Sequence, residues 1–214
     1  MLIRKNYYDY KRNKIENLVL DVIDFLNQMM EQSVDFLLQP SKHNKSTIIE
    51  TEENINYYEK KTEKNIMEII SLEQLDTSEI KWMFSMSRII KELERVGDQL
   101  VNILTISDMV DTNELRSTVS EFFKYEQTMI EYLRLGIKND DHNKLKAVID
   151  HDVYVNKLNK ETFQEMVDLI HETESFTESK LKVVIVSRFL ERVGDHLVNA
   201  AKLYKRFTDE IANE

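Results

Sequence analysis

The sequence contains one ten-residue segment twice, and this repetition limits the folds open to the chain more than any other feature. Residues 93–102 read LERVGDQLVN and residues 190–199 read LERVGDHLVN, so nine of the ten positions are identical at a spacing of 97 residues. Chance agreement of that length is negligible in a chain of 214 residues. The repetition therefore indicates an internal duplication that places two similar units side by side.

Residues that break helices are rare along the whole chain. It contains three glycines and one proline, whereas the turns of β-rich proteins depend on such residues. Apolar residues recur at helical spacing in six segments. The predicted helices cover about residues 8–38, 47–72, 78–109, 112–135, 144–171 and 178–207, with loops at 41–46, 138–143 and 172–177. The pattern predicts an all-α fold of six long helices.

The six predicted helices divide into two matching sets of three. We expect units at residues 1–110 and 111–214, which pack as two pseudo-symmetric three-helix bundles or as one continuous six-helix array. Pro40 should end the first helix, and Asp76 and its neighbours should cap the third. Thr112 or Asn113 can cap the fourth helix, and Gly136 is expected at its C-terminal end.

Charge and composition exclude several classes of function. The net charge is −10, from 29 basic and 39 acidic residues, and such a surface repels nucleic acid. The chain has no cysteine, which excludes disulfides, thiolate metal sites and cysteine nucleophiles. Neither a signal peptide nor a membrane-spanning stretch is evident. We therefore expect a cytoplasmic protein that does not insert into a membrane.

The repeated segment places a polar stripe on the outside of a helix. Residues four apart lie on the same helical face, so the first copy aligns Glu94, Asp98 and Asn102. The second copy aligns Glu191, Asp195 and Asn199 in the same way. Apolar residues point to the opposite side and into the bundle: Leu93, Val96, Leu100 and Ile103 in the first copy, and Leu190, Val193, Leu197 and Ala200 in the second.

Each stripe has a glycine at its edge, Gly97 or Gly194. A glycine inside a helix costs about 1 kcal/mol relative to alanine. Two of the three glycines occupy this unfavourable position, so something must gain from the missing side chain. Either a neighbouring helix approaches closely, or a ligand needs room beside the carboxylates.

The stacked carboxylates repel each other, and a bound cation would relieve that repulsion. Oxygen donors without cysteine suit magnesium, manganese, iron or zinc. The alternative is a solvated stripe that Arg95 and Arg192 partly neutralise. His196 lies beside Asp195 and is a further possible ligand, although Gln99 takes the equivalent place in the first copy.

The motif resembles that of the PhoU family. The resemblance rests on residues 91–98, which read KELERVGD, and on residues 188–196, which read RFLERVGDH. It implies two three-helix bundles with multinuclear metal sites on their faces, and a homodimer. It also implies a role between the ATPase subunit of a phosphate ABC transporter and a sensor histidine kinase. In that role the protein restrains transport and keeps the phosphate-starvation response off.

The chain departs from the family pattern on the preceding helix of each repeat. The family often has a second acidic pair there, and this chain has Glu52 with Asn56 and Asp152 with Asn156. We therefore expect fewer or more weakly bound metal ions. The predicted metal ligands are Glu52, Glu94, Asp98, Asp152, Glu191 and Asp195.

Two other readings of the sequence stay open. A helical bundle that binds metal could serve storage or catalysis, but no histidine follows a glutamate by three residues as in di-iron bundles. Alternatively, the acidic stripes could bind a basic partner without metal. The sequence offers no phosphate-binding loop or nucleophile motif, which argues against a nucleotide-binding enzyme. The resemblance implies a regulator, so we expect a protein that is not an enzyme and has no catalytic residues.

Overall fold

The computed structural model describes residues 2–38, 41–72, 74–107, 112–172 and 178–212. These residues form six α-helices: α1 (Leu2–Leu38), α2 (Lys42–Leu72), α3 (Thr77–Ser107), α4 (Thr112–Asn139), α5 (His142–Glu172) and α6 (Glu178–Ala212). The described ranges contain no strand, so the predicted all-α helical fold is confirmed. Pro40, Met109 and most of the predicted loop at 172–177 lie outside these ranges.

Two predicted loops are mostly helical. The loop expected at 41–46 is wrong because α2 already begins at Lys42. Ser41 makes this start possible, since its hydroxyl accepts the backbone N–H of Asn44 at 3.0 Å and caps the helix. The loop expected at 138–143 shrinks to two residues, because the carboxylate of Asp141 accepts the backbone N–H of Asn143 at 2.9 Å.

Gly136 does not end α4, which continues to Asn139. The residue with the left-handed backbone is Asp140, whose φ is 56°. The N–H of Asp141 donates to the carbonyl of Gly136 at 3.0 Å, which is the bond of a Schellman helix end. Gly136 instead lets α5 approach, because a Cβ there would lie 2.6 Å from Cδ2 of Leu145.

The predicted cap of α3 is confirmed. The carboxylate of Asp76 accepts the backbone N–H of Glu79 at 2.9 Å, and the side chain of Glu79 accepts the N–H of Asp76 at 2.8 Å. This reciprocal pair is a capping box. The side chains of Thr112 and Asn113, the expected cap of α4, lie outside the described part of the structure.

Helices α1, α2 and α3 pack on one another, as do α4, α5 and α6. Helix α3 lies along α6 and α1 lies along α4, which joins the two sets. The apolar halves of both repeated segments are at most 2% exposed, as predicted: Leu93, Val96, Leu100, Ile103, Leu190, Val193, Leu197 and Ala200. The boundary predicted between residues 110 and 111 falls in the stretch 108–111, beyond the described residues.

None of the helices described here has a stretch long and apolar enough to cross a lipid bilayer.

Candidate functional site

The two glycines of the repeated segments let neighbouring helices approach closely. A Cβ at Gly97 would lie 3.4 Å from Cδ1 of Ile55 on α2, and a Cβ at Gly194 would lie 3.1 Å from Cγ1 of Val155 on α5. Of the two explanations for these glycines, helix approach is therefore the one seen. The same approach brings Glu52 beside Gly97, with its Cγ 3.9 Å from that Cβ position.

In the first three-helix unit, carboxylates from α2 and α3 meet across this contact. Burial raises the pKa of Glu52, and the negative charge of Asp98 raises it further, against a hydrogen bond from the Asn56 amide that lowers it. Burial, Asp98 and Glu59 raise the pKa of Glu94. Glu59 lies two helical turns beyond Glu52, and sequence reasoning did not include it.

The second unit brings together Asp152 and Asp195. Burial raises the pKa of Asp152, and the charge of Asp195 raises it further. Oδ2 of Asp152 accepts the amide of Asn156 at 2.8 Å. Its Oδ1 is buried and has no hydrogen-bond partner in the described structure. Glu191 does not join the pair, because it forms an ion pair with Arg188 at 3.1 Å.

Asp98 and Asp195 are both exposed to solvent, so an external partner can reach them. The two arginines of the motif have other contacts. Arg95 pairs with Glu92 at 3.0 Å, and Arg192 lies over the ring of Phe189 at 5.8 Å. Arg95 does lower the pKa of Glu94, but burial and Asp98 outweigh it.

The donor atoms suit a hard cation, but their arrangement is incomplete. Carboxylate and amide oxygens are what magnesium and manganese prefer. Among the residues that the structure describes, however, no group of three or more His, Asp or Glu side chains is arranged to hold a metal ion. Asn56 and Asn156 each donate their amide to the neighbouring carboxylate. A metal site would require these amides to turn away.

Glu92 joins the two units across the contact between α3 and α6. Its Oε2 accepts Nδ1 of His196 at 2.8 Å and the amide of Asn199 at 3.2 Å, both from α6. His196 is thus engaged with Glu92. Ninety-seven residues later, Phe189 stands in place of Glu92, and Oε1 of Gln99 is buried without a partner among the described residues.

Sequence reasoning missed this cross-unit contact, although a signal was present. Over residues 91–102 and 188–199 the two halves differ at three positions: Lys91 against Arg188, which keeps the charge, Glu92 against Phe189, and Gln99 against His196. Glu92 is found only in the first half and His196 only in the second. Two such differences of opposite charge character suggest a contact between the halves. Comparison of the copies for their differences could have found the pair.

Glu126 on α4 is a second residue that sequence reasoning missed. It is 0% exposed, neither carboxyl oxygen has a hydrogen-bond partner in the described structure, and burial raises its pKa well above the usual range. Its counterpart in α1, 100 residues earlier, is the buried Leu26. Apolar residues at helical spacing surround it in sequence: Phe122, Phe123, Met129 and Ile130.

Comparisons with known proteins agree with this architecture. PhoU homologues described as phosphate-specific transport system accessory proteins are similar to the chain. That of Clostridium acetobutylicum is 23% identical over 72% of this chain and 73% of the relative. That of Borreliella burgdorferi is 23% identical over 88% of this chain and 89% of the relative.

Two crystal structures share the fold over nearly their whole length. PhoU from Pseudomonas aeruginosa has a TM-score of 0.86 at 19% identity, covering 95% of this chain and 99% of that one. The phosphate transport system regulatory protein PhoU from Streptococcus pneumoniae has a TM-score of 0.85 at 18% identity, covering 95% and 97%. The PhoU domain family itself matches residues 19–107 and 119–204. Because these ranges take in both copies of the repeated segment and most of all six helices, the chain belongs to the PhoU family.

Proposed function

We propose that this protein regulates phosphate uptake and the phosphate-starvation response as a negative regulator. It acts in the cytoplasm between the ATPase subunit of a phosphate ABC transporter and a sensor histidine kinase. The observation that carries the proposal is the match of both halves to the PhoU domain family. Relatives described as accessory proteins of the phosphate-specific transport system support it.

The geometry of the site favours binding over catalysis. Asp98 and Asp195 lie exposed on a helical surface, whereas small-molecule sites are usually concave and bury most of their ligand. Asp195 also lines a groove between α3 and α6 that is open and polar and includes Arg95, Arg192 and His196. Such a surface suits contact with another protein. A regulator that acts between two partner proteins requires contacts of this kind.

A strain that lacks this gene should express starvation genes even when phosphate is plentiful. A reporter driven by a starvation promoter measures this, because loss of a negative regulator leaves the kinase active. Reintroducing the wild-type gene at its own locus should switch the reporter off. A reporter that stays off in the deletion strain, in phosphate-rich medium, would contradict the proposed function.

A metal-binding role, for storage or catalysis, is the second candidate, and one observation favours it. Oδ1 of Asp152 is buried and unpartnered in the described structure, and Asp195 adds negative charge beside it. A divalent cation would satisfy both groups. We propose that magnesium or manganese binds weakly at the predicted ligands Asp152 and Asp195, and in the first unit at Glu52, Glu94 and Asp98.

Manganese should raise the melting temperature of the wild type and have less effect on Asp195→Asn. The raised pKa of Asp152 sets the sign of the pH dependence. The contribution of Asp152 to the stability of the metal-free fold is lost as pH rises from its unfolded pKa to its folded one, because the folded carboxyl holds its proton longer. The stabilisation by manganese should therefore grow over that range, since the metal displaces the proton.

Thermal melts with and without manganese at two pH values measure this effect. Asp150→Asn is the matched control, because it removes one carboxylate from an exposed position of α5 that is not one of the predicted metal ligands. In metal-free buffer, Asp195→Asn should be at least as stable as the wild type, since repulsion of Asp152 is removed. Equal responses of Asp195→Asn and Asp150→Asn to manganese would rule out a site at Asp195.

A further inference from the structure

The outer face of α2 carries opposite charges on the two sides of Tyr57. Glu50 and Glu53 precede that tyrosine by seven and four residues, and Lys61 and Lys64 follow it by four and seven. Because these spacings return to the same face of a helix, the five side chains form one line, which we call the α2 stripe. Helix α2 packs on α1 and α3, and the stripe faces away from both, since its members are exposed except for the partly exposed Lys61.

The α2 stripe is poorly matched in charge along its own helix. Its two glutamates are three residues apart, as are its two lysines, and like charges that lie this close on a helix repel each other. No basic residue stands three or four positions from either glutamate. The one carboxylate at that spacing from the lysines is Glu68, which is already bonded to Lys11 at 2.9 Å. A surface outside the chain that offers the opposite charges would relieve both repulsions.

A second copy of the chain offers those charges in the required order. In an antiparallel pair of α2 helices with a two-fold axis at Tyr57, the acidic half of each stripe lies on the basic half of the other. Glu50 of one copy then faces Lys64 of the other, and Glu53 faces the two lysines at 60–61. A wholly basic or wholly acidic partner would match one half of the stripe and repel the other half. The stripe therefore fits a second copy of itself better than a partner of a single charge.

Tyr57 would lie on the two-fold axis of such a pair, and its surroundings suit a contact. It is 59% exposed. The ring of Tyr58 meets the Tyr57 ring edge-on at 5.8 Å, and the ammonium of Lys61 lies 5.4 Å from the centre of that ring. Tyrosine is enriched at protein interfaces, because its ring supplies a large contact area at a low entropic cost. The α2 stripe therefore combines an aromatic centre with charged ends.

The second half of the chain lacks this arrangement. One hundred residues later, the matching positions of α5 hold Asp150, Val153, Lys157, Glu161 and Gln164. Lys157 pairs with Glu161 on its own helix at 3.5 Å, so part of the charge of that face is matched within the helix. The α5 face is therefore a natural control for the α2 stripe.

We propose that two copies of the chain pair through the α2 stripe, with their α2 helices antiparallel and related by a two-fold axis. One helix from each copy gives a small interface, and small interfaces are typical of weak or transient complexes. Exposed charges supply most of the complementarity, so the pairing should weaken as salt screens them. The proposal does not depend on the proposed function, because the purified full chain is sufficient to test it.

Sedimentation velocity of the purified chain tests the pairing. The wild type should form a dimer at about 50 mM salt and dissociate at about 500 mM salt. The double substitution Glu50→Lys/Glu53→Lys makes the stripe basic throughout, and Lys61→Glu/Lys64→Glu makes it mostly acidic. Each variant alone should raise the dissociation constant of the dimer by about tenfold or more, whereas an equimolar mixture of the two should pair at least as tightly as the wild type.

Asp150→Lys/Glu161→Lys on α5 is the matched control, because it changes the net charge by the same amount as Glu50→Lys/Glu53→Lys. It should leave the dimer unchanged. Melting curves verify folding, and the substituted positions are exposed or partly exposed. A wild type that stays monomeric at about 100 μM in low salt, a dimer that either charge variant leaves intact, or a mixture that fails to pair would each overturn the proposal. So would an equal loss of pairing in the α5 control.

Discussion

Replacing Glu126 by leucine should stabilise the folded chain by about 2–3 kcal/mol at pH 7. The reason is the buried carboxyl group, whose two oxygens have no hydrogen-bond partner in the described structure. Burying a carboxyl group without a hydrogen-bond partner lowers the free energy of unfolding, whereas burying an apolar side chain has no such cost. The first unit shows that leucine fits such a position, because Leu26 is buried at the matching place of α1.

The gain from Glu126→Leu should increase with pH. Burial raises the folded pKa of Glu126 well above the usual range, so the folded state keeps its proton after the unfolded state has lost it. Stability from this group is fully present below the unfolded pKa and declines as pH rises toward the folded one. The slope approaches about 1.4 kcal/mol per pH unit between the two values.

Urea denaturation of the wild type, Glu126→Leu and Glu126→Gln at pH 5 and pH 8 measures both effects. Glutamine is the matched control, because it keeps the size and polarity of the side chain and cannot ionise. It should remove the pH dependence and give a smaller gain than leucine. A leucine variant that is less stable than the wild type, or whose advantage shrinks at pH 8, would show that the carboxylate is stabilised in the fold.

Gly136→Ala should destabilise the chain by about 1–3 kcal/mol, as expected when an atom is forced into a packed contact. The added Cβ would lie 2.6 Å from Cδ2, 2.7 Å from Cγ and 3.3 Å from the backbone nitrogen of Leu145. Leu145 is fully buried, so its side chain has little room to turn aside. The start of α5 would have to move away from α4.

Gly97→Ala is the matched control for this prediction. Its Cβ would meet Ile55 at 3.4 Å, an ordinary contact, and alanine favours the helix by up to about 1 kcal/mol over glycine. Thermal melts should therefore place Gly97→Ala at or above the wild type and Gly136→Ala below it, at about 2–4 °C per kcal/mol for a chain of this size. The reverse order would contradict the packing described at Leu145.

The six helices could be predicted from the sequence because periodicity reports burial over long segments. Their ends were harder, since single hydrogen bonds decide them. Ser41 and Asp141 cap helices in stretches whose polarity predicted loops. Gly136 was expected at a helix end because glycine tolerates a left-handed backbone, but Asp140 adopts that conformation and the glycine is needed for close packing.

The candidate site was predictable where it repeats and hidden where it does not. The duplicated segment pointed to Asp98 and Asp195, and both are exposed as expected. The metal assignment stays a prediction. Glu92 went unnoticed because its partners His196 and Asn199 lie on a different helix, and periodicity within one helix does not reveal such partners. Glu126 was missed although the apolar residues at helical spacing on its own helix indicated a buried position.

The bond between Glu92 and His196 affects which halves of a duplicated protein pair with each other. Two copies of the first half would set Glu92 against Gln99, and two copies of the second would set Phe189 against His196. The bridge between Asp24 and Arg134, which links α1 to α4, is also one-sided.

Homotypic pairing would lose this second bridge as well. The position of Arg134 in the first half is taken by Val34, and the position of Asp24 in the second half is taken by Lys124. Self-association of either half would therefore give up both links, whereas the covalent chain forms them together. The divergence of the two copies thus favours pairing of the two different halves within one chain. It disfavours the exchange of halves between two molecules.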